Sequence, residues 1–323
     1  ICPGMGWGMN NMTRHDPETF GKVAVLMGGD SAEREISLMS GGAVLGSLLK
    51  SMVDATGVDF TDGKVLTSLS ESGFDRVFIT LHGRKGEDGK VQGALELMNI
   101  PYTGSGVLAS ALAMDKVRCK LIWQSLGLNT PPFAKLDETT EWDKVIAELG
   151  PVFVKPVKEG SSIGISRAND ATELQQAFVH ASQYDKEVIA EKFIDGPEYT
   201  VAILGGSVLP AVGMTASNEF YDYQAKYFSD ETQYFCPCDL AGEDEKNLAT
   251  MAMQAYKAVG CEGWGRVDVM RDSAGTFWLL EVNTVPGMTD HSLVPMAAKQ
   301  AGINFDQLVL EILATSTANR ERD

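Results

Sequence analysis

Hydrophobic and polar positions alternate along the chain in two successive rhythms. Residues 22–27 form a short apolar run that stops at Gly28-Gly29, the pattern of a strand buried on both faces in a parallel sheet. Asp30 and Ser31 suit a helix N-cap, and a helix is predicted over 33–50. A second strand is predicted at 76–81, ending at His82-Gly83, then a Gly-rich charged loop and a helix over 89–98. Residues 101–104 read as a strand and turn, with another helix from Val107. This is the grammar of an open parallel sheet, where ligands sit beyond the carboxyl ends of strands. The next stretch predicts a helix from about Met114 to Leu126, a strand at 151–156, a loop over 157–164, a helix over 171–183 and a strand at 187–191. Further on, 198–204 and 207–210 flank Gly205-Gly206, a hairpin signal. Residues 218–235 have no period and read as a functional loop. A long helix over 244–260, a strand pair turning at 272–275 and a final helix over 305–315 complete the pattern.

The 323 residues suit two or three domains. A net charge of −17, from 27 basic and 44 acidic side chains, disfavours nucleic acid as a partner. It leaves room for a nucleotide held by local lysines and metal ions. No apolar run reaches the ~18–20 residues that span a bilayer, and the N-terminus lacks the basic start and apolar stretch of a secretory signal. Residues 1–20 are set aside as an extension, with Met12 a candidate start. Five scattered cysteines form no disulfide framework, and Cys236-Pro-Cys238 is too tightly spaced for a zinc knuckle. Reduced thiols in a cytoplasmic protein are expected.

Chemistry concentrates in the strand pair near the C-terminus. Alternation puts Val267 and Val269 on one face of the first strand, Arg266 and Asp268 on the other. In the second strand Leu280 and Val282 share a face, opposite Glu281 and Asn283. Antiparallel pairing then gathers Arg266, Asp268, Glu281 and Asn283 together. Two carboxylates and an amide oxygen are hard ligands, suited to Mg2+ or Mn2+ rather than zinc. The alternative is the polar side of an ordinary sheet, which Lys–Glu pairs would suit better than an acid-acid-amide set. The loop after Lys155, with Gly160, Ser161, Ser162 and Gly164, is either an anion cradle or a plain turn. Glu33 is open to two readings, ligand or partner of Asp30 in a capping box. His82 ends a strand on the ligand side, and Lys226 and Tyr227 belong to a phosphate-clamping lid or a solvated surface.

The ordered motifs resemble those of the D-alanine–D-alanine ligases of the ATP-grasp superfamily, from Lys22 to about Leu313. They are Met27-Gly-Gly with Ser31-Ala-Glu-Arg-Glu-Ile-Ser37, Leu81-His-Gly-Arg84 with Gly86-Glu-Asp-Gly89, and Pro101-Tyr-Thr-Gly-Ser-Gly106. Met114-Asp-Lys116, Val154-Lys-Pro with Glu159-Gly-Ser-Ser162, and Phe220-Tyr-Asp-Tyr223 with Ala225-Lys-Tyr227 follow. Gly263-Trp-Gly-Arg-Val-Asp-Val-Met270 and Glu281-Val-Asn-Thr-Val-Pro-Gly-Met-Thr289 close the set. Val282 and Val285 stand where Ala and Ser are frequent, with the flanking Glu281, Asn283 and Gly287 in place.

The resemblance implies three domains: 21–105, 106–190 and 191–316, with ATP gripped between the last two and a tail over 317–323. It implies Asp268, Glu281 and Asn283 as ligands of two Mg2+ (or Mn2+) ions, and Lys116, Lys155 and Lys226 as phosphate-binding lysines. Ser162 belongs to the phosphate loop, Glu191, Lys192, Phe193 and Ile194 to the adenine segment, and Glu198 would hold the ribose. Glu33 and His82 would receive the first D-alanine, with Ser161 and Tyr227 bracing Glu33. Arg266 and Gly287 would stabilise an oxyanion, and Ser292 and Leu293 would meet the second D-alanine's carboxylate. The implied enzyme is a cytoplasmic homodimer making D-alanyl-D-alanine for peptidoglycan, with D-alanine and ATP as its partners. A D-lactate acceptor is the close alternative, and Tyr227 favours the dipeptide. A non-catalytic ATP-binding module should have lost a metal ligand or the arginine, and none is missing.

Overall fold

The computed structural model describes residues 15–215, 233–289 and 291–316. The lid expected over 218–235 therefore lies outside the described residues but for its last three, and Lys226 and Tyr227 lie outside with it.

A 3-10 turn, Pro17–Phe20, buries Phe20 ahead of the first sheet. Then come β1 (Val23–Met27), α1 (Arg34–Lys50), β2 (Ala55–Asp59), α2 (Lys64–Glu71), β3 (Arg76–Ile79) and α3 (Lys90–Leu97). The strands form a parallel sheet in the order β2-β1-β3. The central strand β1 and its neighbour β3 are almost wholly buried, hence their apolar runs 23–27 and 77–79. The edge strand β2 is mostly exposed and reads Ala-Thr-Gly-Val-Asp, so it carries no such run. Residues 101–104 do not form the expected strand: Tyr102 makes a single parallel bridge to Val77.

A second unit holds α4 (Val107–Met114), α5 (Lys116–Ser125), β4 (Phe133–Leu136), α6 (Trp142–Leu149), β5 (Val152–Pro156), β6 (Ser166–Ala168), α7 (Ala171–Ala181) and β7 (Val188–Lys192). Its sheet is antiparallel, in the order β4-β7-β5-β6. The Asp115 side chain caps α5 by accepting from the Arg118 N–H, which fixes Lys116 in the first turn.

The third unit has β8 (Glu198–Leu204), β9 (Ser207–Val208), β10 (Val212–Thr215), β11 (Gln233–Phe235), α8 (Gly242–Ala258), β12 (Trp264–Arg271) and β13 (Phe277–Asn283). The helices α9 (Leu293–Gln300) and α10 (Phe305–Thr315) end the described chain. The sheet runs β11-β10-β8-β12-β13, with β9 closing a hairpin on β8. Gly205 and Gly206 both have positive φ, as that two-residue turn requires. Gly196, between β7 and β8, has φ +154°, and a Cβ there would lie 1.9 Å from the Arg271 carbonyl oxygen. α8 covers the apolar face of the sheet, packing Leu248, Ala252 and Ala255 with Val267, Val269 and Leu279. On the other face α9 covers part of β8 and β10, with Val294 and Ala298 joining Ala202, Leu204 and Met214, and the β12 and β13 side carries the polar residues. α10 returns to the first sheet: Leu308 and Ile312 share a core with Val44 and Leu48, and Asp306 accepts from Ser47 and Lys50.

Candidate functional site

The register of β12 with β13 sets Arg266 opposite Asn283 and Asp268 opposite Glu281, on one face as expected. A bulge follows Asp268, where the register shifts so that Val269 faces Leu279. It corrects one expectation. Leu279, fully buried, takes the core position beside Val282, while Leu280 turns out with Glu281 to line the cleft. An extra residue in one strand breaks the strict alternation on which that expectation rested.

Asp268 is 3% exposed and fully engaged. Arg266 grips it with two parallel bonds of 2.8 and 2.7 Å, Thr200 donates at 2.5 Å and the Asn283 amide at 2.9 Å. Glu281 lies 3.1 Å from Lys116 Nζ, which also donates to the Glu159 carbonyl at 2.7 Å. Among the described residues no three of His, Cys, Asp and Glu gather to hold a metal. Two carboxylates and the amide oxygen that Asn283 keeps available still fit Mg2+, which usually takes one or two carboxylates together with substrate phosphates.

Across the cleft, Lys116, Lys155, Ser161, Ser162, Glu191, Lys192, Ile194 and Glu198 line the same wall system as Asp268 and Glu281. Phe193 is the exception in its segment. Its ring packs edge-on against Phe153 at 5.5 Å and under the Arg167 guanidinium at 4.4 Å, away from the cleft lining. Phe153, Met270 and Leu280 supply apolar cleft walls that the sequence reading missed. Only the contrast between their exposure and the polar neighbours reveals them. Ser161 and Ser162 have φ of 49° and 60°, the left-handed region that is costly for non-glycine residues. Strain of ~1–3 kcal/mol per such residue is typical of ligand-clamping loops.

Glu33 does not form a capping box. It is itself the N-cap of α1, its side chain makes no cap bond, and its carboxylate accepts from the Ser161 hydroxyl. Asp30 pairs with Lys85 instead. Glu33 is 6% exposed, and Gly83 and Gly160 crowd it so closely that a Cβ would come within 2.8 and 3.4 Å of its carboxylate. His82 is buried, with Nε2 3.4 Å from Ser40 Oγ. Ser40 Oγ also accepts from the Met288 N–H, which ties the first sheet to the 284–289 loop. Ser292 is the N-cap of α9 and its Oγ accepts from the Thr289 N–H at 2.9 Å. The Leu293 side chain is buried in the core, so only its helix-terminal N–H can serve a carboxylate. Gly287 borders Ser292: a Cβ there would stand 2.9 Å from Ser292 Oγ.

Glu87, absent from the predicted site, bridges the same elements. It accepts from the Gly83 N–H at 2.7 Å and the Val285 N–H at 3.2 Å. The signal available in sequence was its place in the Gly86-Glu-Asp-Gly89 anchor. Burial, reinforced by nearby Glu33, pushes the Glu87 carboxyl up to about 8 from an ordinary 4.5, against the pull of the two N–H donors and Arg266. A carboxyl raised on folding keeps a proton that the unfolded chain has lost. Its contribution is therefore present below about pH 4.5 and declines as pH rises towards 8. Without ligand or metal, the Tm of the wild type should fall more between pH 5 and pH 8 than that of Glu87→Gln. Parallel slopes in the two melting series would contradict this assignment.

A first sheet feeding a cleft between two antiparallel sheets, with lysines on one wall and a carboxylate pair with an arginine on the other, defines an ATP-grasp architecture. Two family models match in tandem: D-ala D-ala ligase N-terminus over residues 61–105 and D-ala D-ala ligase C-terminus over 122–314. The D-alanine–D-alanine ligase of Chromohalobacter salexigens is 57% identical over 300 residues, 93% of this chain and 95% of that protein. That of Ectopseudomonas mendocina is 56% identical over 306 residues, 94% and 97% respectively. The crystal structure of the Bacillus anthracis D-alanine–D-alanine ligase complexed with ATP superposes with a TM-score of 0.82 at 33% identity, covering 93% of this chain and 98% of that one. The chain belongs to the D-alanine–D-alanine ligase family.

Proposed function

We infer that this protein joins two D-alanine molecules to D-alanyl-D-alanine, converting ATP to ADP and phosphate, for bacterial peptidoglycan synthesis. The observation that carries the reading is one polar wall, Arg266, Asp268, Glu281 and Asn283, facing Lys116 and Lys155 across a cleft that reaches Glu33 and Ser161.

A carboxylate is a poor acyl donor, so the first D-alanine attacks the γ-phosphorus of ATP to give an acyl phosphate and ADP. Lys116 and Lys155 hold the phosphates, with Lys226 assigned to the γ-phosphate by resemblance. Such a transfer depends mostly on positioning and charge neutralisation. Asp268, Glu281 and Asn283 would hold Mg2+ or Mn2+, which supplies neutralisation of charge on the transferred phosphoryl group. Phe153, Met270 and Leu280 offer the adenine apolar surfaces, and Glu198 the ribose an acceptor. Glu33, buried and braced by Ser161, receives the ammonium of the first D-alanine beside His82, with Tyr227 assigned by resemblance to close that site. The amine of the second D-alanine, its carboxylate held at Ser292 and the Leu293 N–H, attacks the acyl carbon. Arg266 and the Gly287 N–H stabilise the tetrahedral oxyanion before phosphate leaves. Family resemblance supports a homodimer at work in the cytoplasm. Among the described residues no helix is long and apolar enough to cross a membrane.

The test is phosphate release from ATP and Mg2+ with D-alanine, L-alanine or no amino acid, with the product identified by mass. Phosphate and D-alanyl-D-alanine formed only with D-alanine are expected. Folded protein that binds ATP without D-alanine-dependent turnover would overturn the reading.

A further inference from the structure

The helix α5 carries two lysines one turn apart, at positions that share a face. Lys116 opens into the cleft. Lys120 does not: its side chain is 0% exposed, and no substrate atom can reach it. A buried ammonium is costly unless it is paired and hydrogen-bonded, and this one is both. Lys120 Nζ lies 2.5 Å from Glu191 Oε2 and donates to Thr130 Oγ1 at 2.7 Å. Thr130 in turn donates to the Leu279 carbonyl at 2.8 Å, on the strand that carries Glu281. The other Glu191 oxygen, Oε1, accepts from Lys155 Nζ at 2.5 Å.

The three side chains form a row of Lys120, Glu191 and Lys155 with one net positive charge. Burial pushes Lys120 down and works against ionised Glu191, yet the two flanking ammonium groups hold Glu191 below its ordinary range. Lys155 and Glu191 border the cleft, while Lys120 stands behind them. Without Lys120, the buried carboxylate and Lys155 would cancel, and the row would offer a phosphate no net charge. Lys155 would also become the sole cation on Glu191 and be held to it more tightly.

We propose that Lys120 is a positioning residue for the nucleotide, supplying through Glu191 the positive charge that Lys155 presents to the phosphates. The proposal rests on the reading of this cleft as the ATP site. Its signature is selective. Phosphate-bearing ligands depend on the row, whereas a nucleoside without phosphates meets only the apolar walls and polar rim.

Lys120→Met is therefore expected to weaken ADP binding about tenfold, the usual size of one charge-assisted contact, and adenosine binding less than about threefold. Both are measured by displacement of a fluorescent ADP analogue, and KM for D-alanine should stay unchanged. Because the single change leaves a buried carboxylate with one cation, the double variant Lys120→Met, Glu191→Gln is measured in parallel. It removes opposite charges together and leaves Lys155 unneutralised, so its preference for ADP over adenosine should return to within about threefold of the wild type. Equal losses of ADP and adenosine in the single variant, or no ADP preference in the double variant, would overturn the proposal. Wild-type protein that does not bind ADP would instead overturn the nucleotide reading beneath it.

Discussion

Arg266→Ala should lower kcat by about 10²–10³-fold, the usual cost of one lost oxyanion donor. The guanidinium is preorganised for that role. It is 6% exposed, gripped by Asp268 through two bonds and fixed by a strand whose far side packs under α8. A water-sized gap cannot replace a charge held in low dielectric, so alanine leaves the tetrahedral intermediate without its cation. The same change strips Asp268 of its main partner, and breaking a buried pair costs ~3–5 kcal/mol. Activity must therefore be normalised to folded protein, well below the melting midpoint. Arg266→Lys separates the effects: it keeps a charge near Asp268 but loses the planar fork. It should recover more stability than kcat. A fall in kcat of less than tenfold in fully folded Arg266→Ala would falsify the oxyanion role.

The second large effect is expected from Glu281→Ala, which should lower ATP turnover at least ~10³-fold, since loss of a metal ligand forfeits several kcal/mol of charge stabilisation. Glu281 is less buried than Asp268. Its side chain is 23% exposed, against 4% for Asp268, and it pairs with Lys116, itself a cleft residue. Removing it should lower Tm less than removing Asp268. Nucleotide affinity measured without divalent cation should hold or improve, because the change removes negative charge near the phosphates. The gain in affinity on adding Mg2+ should vanish. Retained turnover, or an undiminished Mg2+ effect, would refute the metal assignment.

Much of this site was legible because its residues lie in regular local structure. The turn at Asp272, whose carboxylate accepts from the Ala274 and Thr276 N–H groups, fixes the pairing of β12 with β13. Period-two alternation then suffices to gather Arg266, Asp268, Glu281 and Asn283. Alternation fails at Leu280, because a bulge is an event between strands and leaves no mark in either one. Glu33 was ambiguous for a related reason. Asp-Ser-Ala-Glu satisfies a capping pattern, and only the fold brings Ser161, 128 positions away, to claim the carboxylate. Distance along the chain also hid Lys120 and its pairing with Glu191 and Lys155, two residues that the motifs had already marked. Among elements, β2 was lost to its exposure and its glycine, and α9 to a proline in its first turn that breaks the apolar run. β11 was concealed at the end of a stretch without period.

The return of α10 to the first sheet bears on how the chain is made. Synthesis delivers β1, α1 and β3 early, yet Leu308, Val309, Ile312 and Leu313 complete the core that they share with Val44 and Leu48. Until residue 313 has left the ribosome, that sheet stands with part of its apolar cover missing. At ~5–20 residues per second the exposure lasts for tens of seconds. A product truncated before α10 lacks this cover permanently, so a premature stop near residue 304 endangers the first sheet, the part of the chain made earliest.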